Sequence, residues 1–147
     1  MNMNVTNLII SSNSCNELNS LNLNEYRYLK SIEIGDDCFE NVELFNINGL
    51  NALNALKIEG DSFTQQKDNW NSIRSDPSRS FHIINCAELE SIEIGKHSFS
   101  DYGGGFELFN LPKLSSIKIG EIEITSFNFF GSSFEIRGII DIDIANE

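Results

Sequence analysis

The sequence contains no long apolar run; nothing approaches the ~18 residues that a membrane-spanning helix requires. Asn7–Ile10, "NLII", is too short for the core of a signal peptide, and no basic residue precedes it. The expectation is a chain without membrane insertion. Basic residues are outnumbered, with 10 Lys and Arg against 22 Asp and Glu, a net charge of -12 and a pI near 4.4. Phosphates would be repelled by such a surface, which argues against nucleic acid or an anionic bilayer as partner. Cysteine occurs three times, at Cys15, Cys38 and Cys86. The number is odd and no CxxC pair is present, so neither a disulfide framework nor a zinc site is indicated. Reduced thiols in an intracellular, cytoplasmic protein are the simplest expectation.

Long amphipathic helical segments are also missing. "GGG" at 103–105 lacks the following Lys-Ser/Thr of a phosphate-binding loop. It reads as a flexible loop. His82 and His97 are the two histidines, and neither has a Ser, Cys or Asp constellation at a spacing known for nucleophilic catalysis. No cofactor, metal or catalytic residue is expected. A hydrophobic content of 40% nevertheless excludes a disordered composition.

What is present is repetition. "LKSIEIGDDCF" from Leu29 returns as "LNALKIEGDSF" from Leu53 and as "LESIEIGKHSF" from Leu89. Weaker copies begin at Val5 and Leu114, giving steps of 24, 24, 36 and 25 residues along the chain. The long step is one period with an insertion. A second motif sits between these anchors: "FNINGL" from Phe45, "FHIINC" from Phe81, "FELFNL" from Phe106, "FEIRGI" from Phe134, and weakly "LNLNEY" from Leu21. "IDI" at 142–144 reads as the start of a sixth copy. A unit this short cannot bury its own apolar side, so neighbouring units must complete the core.

Both motifs alternate with period two, which predicts strands. The predicted fold is an all-β repeat solenoid, a single domain over 1–147 with about five coils of 24–25 residues starting near 5, 29, 53, 89 and 114. Like strands stack in register into two parallel sheets, with little helix. Ile34, Ile58, Ile94 and Ile119 form one continuous inward row. Gly35, Gly60, Gly95 and Gly120 follow the first strands and are expected to turn the chain with positive φ. Residues 64–80, with Lys67, Arg74, Arg79 and the single Trp70, interrupt the pattern and read as a projecting insertion. Shorter excursions are expected at 100–106 and 125–133.

The motifs "LKSIEIGDD", "LNALKIEGD" and "LESIEIGKH" resemble leucine-rich repeats, and the Ile-rich strands with a following Ser/Cys-Phe resemble the BspA-like repeats of surface antigens. That resemblance implies protein–protein recognition through strand faces and loops. Asp37, Asp61, His97 and Ile122 stand where that family carries asparagine, so its corner ladder is expected to be weaker here.

Candidate binding residues follow from the outward positions. Ile9, Glu33, Lys57, Glu93 and Lys118 form one row with alternating charge, worth roughly 0.2–1 kcal/mol per cross-strand pair. Glu33 and Glu93 lie two strand spacings apart, ~9.6 Å, near the carboxylate separation of inverting glycosidases. Lys57 between them would lower both pKa values, which is wrong for a general acid. Ile84 and Phe109 fall on outward positions of adjacent second strands: either they form an apolar contact patch, with Trp70 from the insertion lying against it or serving as an anchor, or the insertion folds over and covers them locally. The expected function is a non-enzymatic module that binds another protein. The alternatives are a structural fragment of a longer array, able to associate end to end through uncapped coils, and a carbohydrate-acting β-helix enzyme.

Overall fold

A computed structural model of the 147-residue chain describes residues 4–67, 74–122, 125–139 and 143–146. Two parallel sheets face each other. The first sheet orders its strands β1 (Asn7–Ile10), β2 (Ser31–Ile34), β4 (Ala55–Ile58), β6 (Ser91–Ile94), β8 (Ser116–Ile119) and β10 (Asp143–Asn146). The second contains β3 (Leu44–Asn48), β5 (Ser80–Ile84), β7 (Phe106–Phe109) and β9 (Phe134–Arg137). The coils starting at Leu29, Leu53, Leu89 and Leu114 each supply one strand to each sheet, as the two motifs require.

Register follows the alternation. Ile10, Ile34, Ile58, Ile94 and Ile119 face one another in sequence across the first sheet. The row survives the 36-residue step from Ile58 to Ile94, so the insertion is absorbed between strands. A one-residue slip would turn every isoleucine outward, which fixes the pairing. The sixth strand is offset from the repeat by one residue: Ile144 pairs opposite Ile117, and Ile142, the expected anchor, lies outside the described residues. The weak copy at Leu21 is not a strand. It makes a short 3-10 turn, Leu23–Glu25, that buries Leu23 beside β3.

Between the sheets run two phenylalanine ladders. Phe39, Phe63, Phe99 and Phe129 stack with ring centroids 5.1, 4.8 and 5.1 Å apart. Phe45, Phe81, Phe106 and Phe134 stack at 4.9, 4.9 and 4.6 Å. These separations match the ~4.8 Å strand spacing, so each ring rests on its counterpart one coil away. The ladders meet edge to face, as in Phe81–Phe99 at 5.0 Å and 84°. Aromatic pairs of this kind contribute about 0.5–1.5 kcal/mol beyond their buried area.

The corner after the first strand differs from expectation in a way that explains its composition. Positive φ falls not on Gly35, Gly60 or Gly95 but on residues shortly after them, two and four later for Gly35 and Gly95 and one and three later for Gly60: Asp37 58°, Phe39 55°, Asp61 58°, Phe63 54°, His97 64° and Phe99 58°. Asp, Asn and His tolerate this left-handed region best among non-glycine residues, which accounts for Asn13, Asp37, Asp61 and His97 in one column. Phenylalanine there is strained, and its full burial in the ladder holds it in place. Glycine is needed for close approach instead. A Cβ on Gly95 would lie 2.6 Å from the Glu59 carbonyl carbon, and one on Gly35 would lie 2.6 Å from the Ser12 nitrogen. Gly120 alone of the four has positive φ, at 82°.

The hydrogen-bonded ladder expected to be weak is present one residue later. Ser62 Oγ accepts from the Cys38 N–H at 3.0 Å and donates to the Gly35 carbonyl at 2.8 Å. Ser98 Oγ repeats this toward the Ser62 N–H at 3.0 Å and the Glu59 carbonyl at 2.5 Å. Asn128 continues it by donating to Gly95 and Ser98 carbonyls, both at 2.8 Å. Ile122 is therefore not the counterpart of His97. It is 73% exposed, in extra chain after Gly120, and Phe127 takes the corner position with φ 52°. The excursion expected at 125–133 is displaced in the same way, since residues 126–129 already belong to the repeat.

Candidate functional site

The insertion does not simply project. Thr64 and Arg79 at its two ends are buried, and Lys67 folds back to pair with Asp37 and with Glu40, the latter at 2.9 Å. Trp70 lies outside the described residues. Arg79 is the largest fully buried side chain. Its Nη2 donates to the Glu40 carbonyl at 2.7 Å and the Val42 carbonyl at 3.2 Å, and its Nε lies 3.3 Å from Asp101 Oδ1. The guanidinium sits over the Tyr102 ring, 5.2 Å from the centroid, while the Tyr102 hydroxyl donates to Val42 O at 2.5 Å. Burial pushes the pKa of Asp101 up despite the neighbouring cation, and burial likewise raises that of Tyr102.

"GGG" is packed rather than flexible. A Cβ on Gly104 would lie 2.5 Å from the Pro77 carbonyl oxygen, and the Gly104 N–H donates to Arg79 O at 2.8 Å. The excursion at 100–106 thus clamps the end of the insertion to the stack. No sequence period marks Arg79 or Asp101, because both lie in segments that break the repeat.

On the outer face of the second sheet, register brings Asn48, Ile84, Phe109 and Arg137 into one row and Asn46, His82, Glu107 and Glu135 into the next. Ile84 and Phe109 are adjacent, as expected, and half-buried. The Arg137 guanidinium covers part of Phe109 at 4.5 Å from the ring centroid and pairs with Glu135 at 2.9 Å. The result is an apolar pair flanked by both charge signs, with residues 64–67 directed toward Asp37 and Glu40 instead.

Beside the patch, His82 Nδ1 lies 2.9 Å from Glu107 Oε1 and Nε2 lies 3.0 Å from Ser80 Oγ. The connectivity is that of a serine nucleophile, base and acid, and sequence spacing did not reveal it because Glu107 comes from the next coil. The backbone donors around Ser80 are already used, Ser80 N by Glu43 O and Phe81 N by Gly105 O. They therefore offer nothing to an oxyanion, the group that such chemistry must stabilise.

On the first sheet the charge row holds its register: Glu33 faces Lys57, Lys57 faces Glu93, and Glu93 faces Lys118. Its ion pairing is sparser than expected. Lys118 reaches Glu93 at 3.8 Å, but Lys57 turns along its own strand to Glu59 at 3.2 Å. That hydrogen bond is the main reason the Lys57 pKa is raised, with Glu93 and Glu33 adding to it. His97 Nδ1 lies 3.1 Å from Asp61 Oδ1 across the corner, far along the chain from His82 and its partners. Among the described residues no group of three His, Cys, Asp or Glu is placed to hold a metal ion, and no helix is long and apolar enough to cross a membrane.

The architecture is an all-β stack of parallel strands with two polar outer faces, one of which carries an apolar pair. No protein-family model, curated protein or solved structure matches the chain.

Proposed function

We propose that the chain is a non-enzymatic protein-recognition module, built on coils that resemble leucine-rich repeats of the BspA-like kind. The observation carrying this reading is the side-by-side placement of Ile84 and Phe109 on a sheet face where their own row and the adjacent row of Asn46, His82, Glu107 and Glu135 are otherwise polar. Large apolar side chains ringed by Arg137, Glu107 and His82 form the pattern of a contact centre with a polar rim. Trp70 on the insertion and the Glu33, Lys57, Glu93 and Lys118 row extend the candidate surface. Lys57 separates Glu33 from Glu93 in register, which weighs against the carbohydrate-acting alternative.

The test is quantitative capture on immobilised protein, followed by binding measurements with the purified captured species. A partner whose affinity falls at least tenfold on Phe109→Ala and on Ile84→Ser, but not on Glu17→Gln, supports the reading. Equal binding by all variants rejects it. A second reading, a structural segment of a longer array, draws support from Phe134 and Ile136, which occupy inward positions yet are 54% and 41% exposed.

A further inference from the structure

The outer face of the first sheet carries its charges in alternation. Register sets Glu33, Lys57, Glu93 and Lys118 side by side on β2, β4, β6 and β8. Their side chains reach solvent: those of Lys57, Glu93 and Lys118 are 45%, 45% and 53% exposed, and Glu33 is exposed too. Three neighbouring pairs of opposite sign result, yet the chain closes only Glu93 with Lys118, at 3.8 Å. Lys57 pairs along its own strand with Glu59, and Glu33 makes no ion pair among the described residues. Pairing within the sheet therefore leaves most of the alternation unused. Beside the charged row runs a row of small residues, Ser31, Ala55, Ser91 and Ser116.

We infer that this face is a self-association surface, on which a second copy of the chain docks face to face. The two copies are related by a two-fold axis that runs parallel to the strands and passes between β4 and β6. Such a rotation keeps each row of residues opposite itself and reverses the order of the strands. Glu33 of one copy then meets Lys118 of the other, and Lys57 meets Glu93. Symmetry repeats both contacts, so four charge pairs cross the interface and no like charges meet in the row. The occupant of this row is thus a second copy, which leaves the Ile84 and Phe109 face free for another protein.

The order of charges selects this arrangement. A two-fold axis along the stack would set each residue against its own copy, Glu33 on Glu33 and Lys57 on Lys57. Sliding the copies by one strand would set Glu33 on Glu93. Sliding them by two would keep only half of the pairs. The adjoining column agrees: Lys30, Asn54, Glu90 and Ser115 are bonded in the same register, and the rotation sets Lys30 against Ser115 and Asn54 against Glu90. The small row lets the sheets approach to the ~10 Å of stacked sheets, a gap that a lysine and a glutamate span together. The four strands present a face of only about 13 by 19 Å. That is well below the ~800 Å² per partner of a standard interface. The dimer is therefore weak and, being held by exposed charges, sensitive to salt.

Sedimentation equilibrium on the 147-residue chain, read against its 16.6 kDa mass, tests the pairing. A monomer–dimer equilibrium is expected at low salt, weakened at least tenfold in about 1 M sodium chloride. Lys57→Glu and Glu93→Lys should each weaken it at least tenfold with unchanged far-UV circular dichroism, because like charges then face each other. Mixing the two variant proteins should restore association as a heterodimer. Placing both substitutions in one chain should restore the homodimer, although it sets like charges on neighbouring strands, so a role confined to the sheet gives the opposite result. A monomer up to about 1 mM chain, unaltered association in either single variant, or a mixture no more associated than its components would each overturn the proposal. Ile84 and Phe109 lie on the outer face of the other sheet, so Phe109→Ala should leave the dimer intact whatever becomes of the recognition reading.

Discussion

Arg79 Nε lies 3.3 Å from Asp101 Oδ1, with both side chains sealed from solvent, and the contact joins the end of the insertion to the corner of the following coil. The approach lacks hydrogen-bond geometry at those two atoms, so attraction between charges carries it. Two other polar atoms of the pair find backbone partners: Arg79 Nη2 at the Glu40 and Val42 carbonyls, and Asp101 Oδ2 at the Gln65 N–H, 3.0 Å away. The pair ties the irregular insertion to the regular stack.

Removing one partner should therefore be far worse than removing both. Arg79→Met or Asp101→Asn alone is expected to lower stability by about 3–5 kcal/mol, because an uncompensated group stays buried. The double substitution should lose less than the sum of the singles in denaturant titrations. Additive losses would show that the two residues do not act as a pair.

The same aspartate predicts a pH dependence. Burial raises its pKa, so the folded protein keeps this proton to a higher pH than the unfolded chain does. That contribution to stability is present below the unfolded value and lost as pH rises through the raised one. Asp101→Asn should remove this falling component, leaving a flatter acid-side profile in thermal melts followed from pH 3 to pH 7. An unchanged slope would contradict the shift.

Two glycines should differ for different physical reasons. Gly95→Ala forces a methyl group into the Glu59–Gly60 backbone and is expected to cost about 1–3 kcal/mol or more. At Gly49 the space is open and the penalty comes from φ of 78° alone, so Gly49→Ala should cost about 1–2 kcal/mol. Denaturation midpoints in the order wild type, Gly49→Ala, Gly95→Ala are expected.

Ser62→Ala should show what the corner ladder contributes. It leaves the buried Cys38 N–H and the Gly35 carbonyl without their hydroxyl partner, with an expected loss of about 1–3 kcal/mol. Ser14→Ala, at the half-buried start of the same column, where the hydroxyl makes only a 3.5 Å contact to Ser12 O, should be nearly neutral in the same assay.

Phe99→Ala removes the ring that stacks on both Phe63 and Phe129 and meets Phe45 and Phe81 edge-on. A loss of about 3–5 kcal/mol is expected from calorimetry or chemical denaturation. Phe134→Ala, half-exposed at the end of its ladder, should cost less than half as much in the isolated chain.

The sheets and their registers were legible because alternation is a local property: Ile32 and Ile34 must share a face whatever the coil does next. The apolar pair Ile84 and Phe109 was legible for the same reason. The misread corners show where that logic ends. Gly35, Gly60 and Gly95 looked like turn-formers, yet the left-handed residues are Asp37, Asp61, His97 and the phenylalanines beyond them. A glycine kept for close approach and one kept for positive φ look alike in a sequence. Ile122 was misplaced because counting from Leu114 cannot register extra residues after Gly120.

The amino-acid sequence by itself determined a stack of coils with two alternating strands each, because no unit of that length can bury its apolar side without a neighbour. Only the tertiary structure decided that Arg79 is interior, that Ser80, His82 and Glu107 converge, and that Phe134 and Ile136 stay uncovered. Each of these depends on which residues of successive coils come to lie side by side. That is set by where the chain inserts or omits residues between strands, and not by the pattern within any one of them.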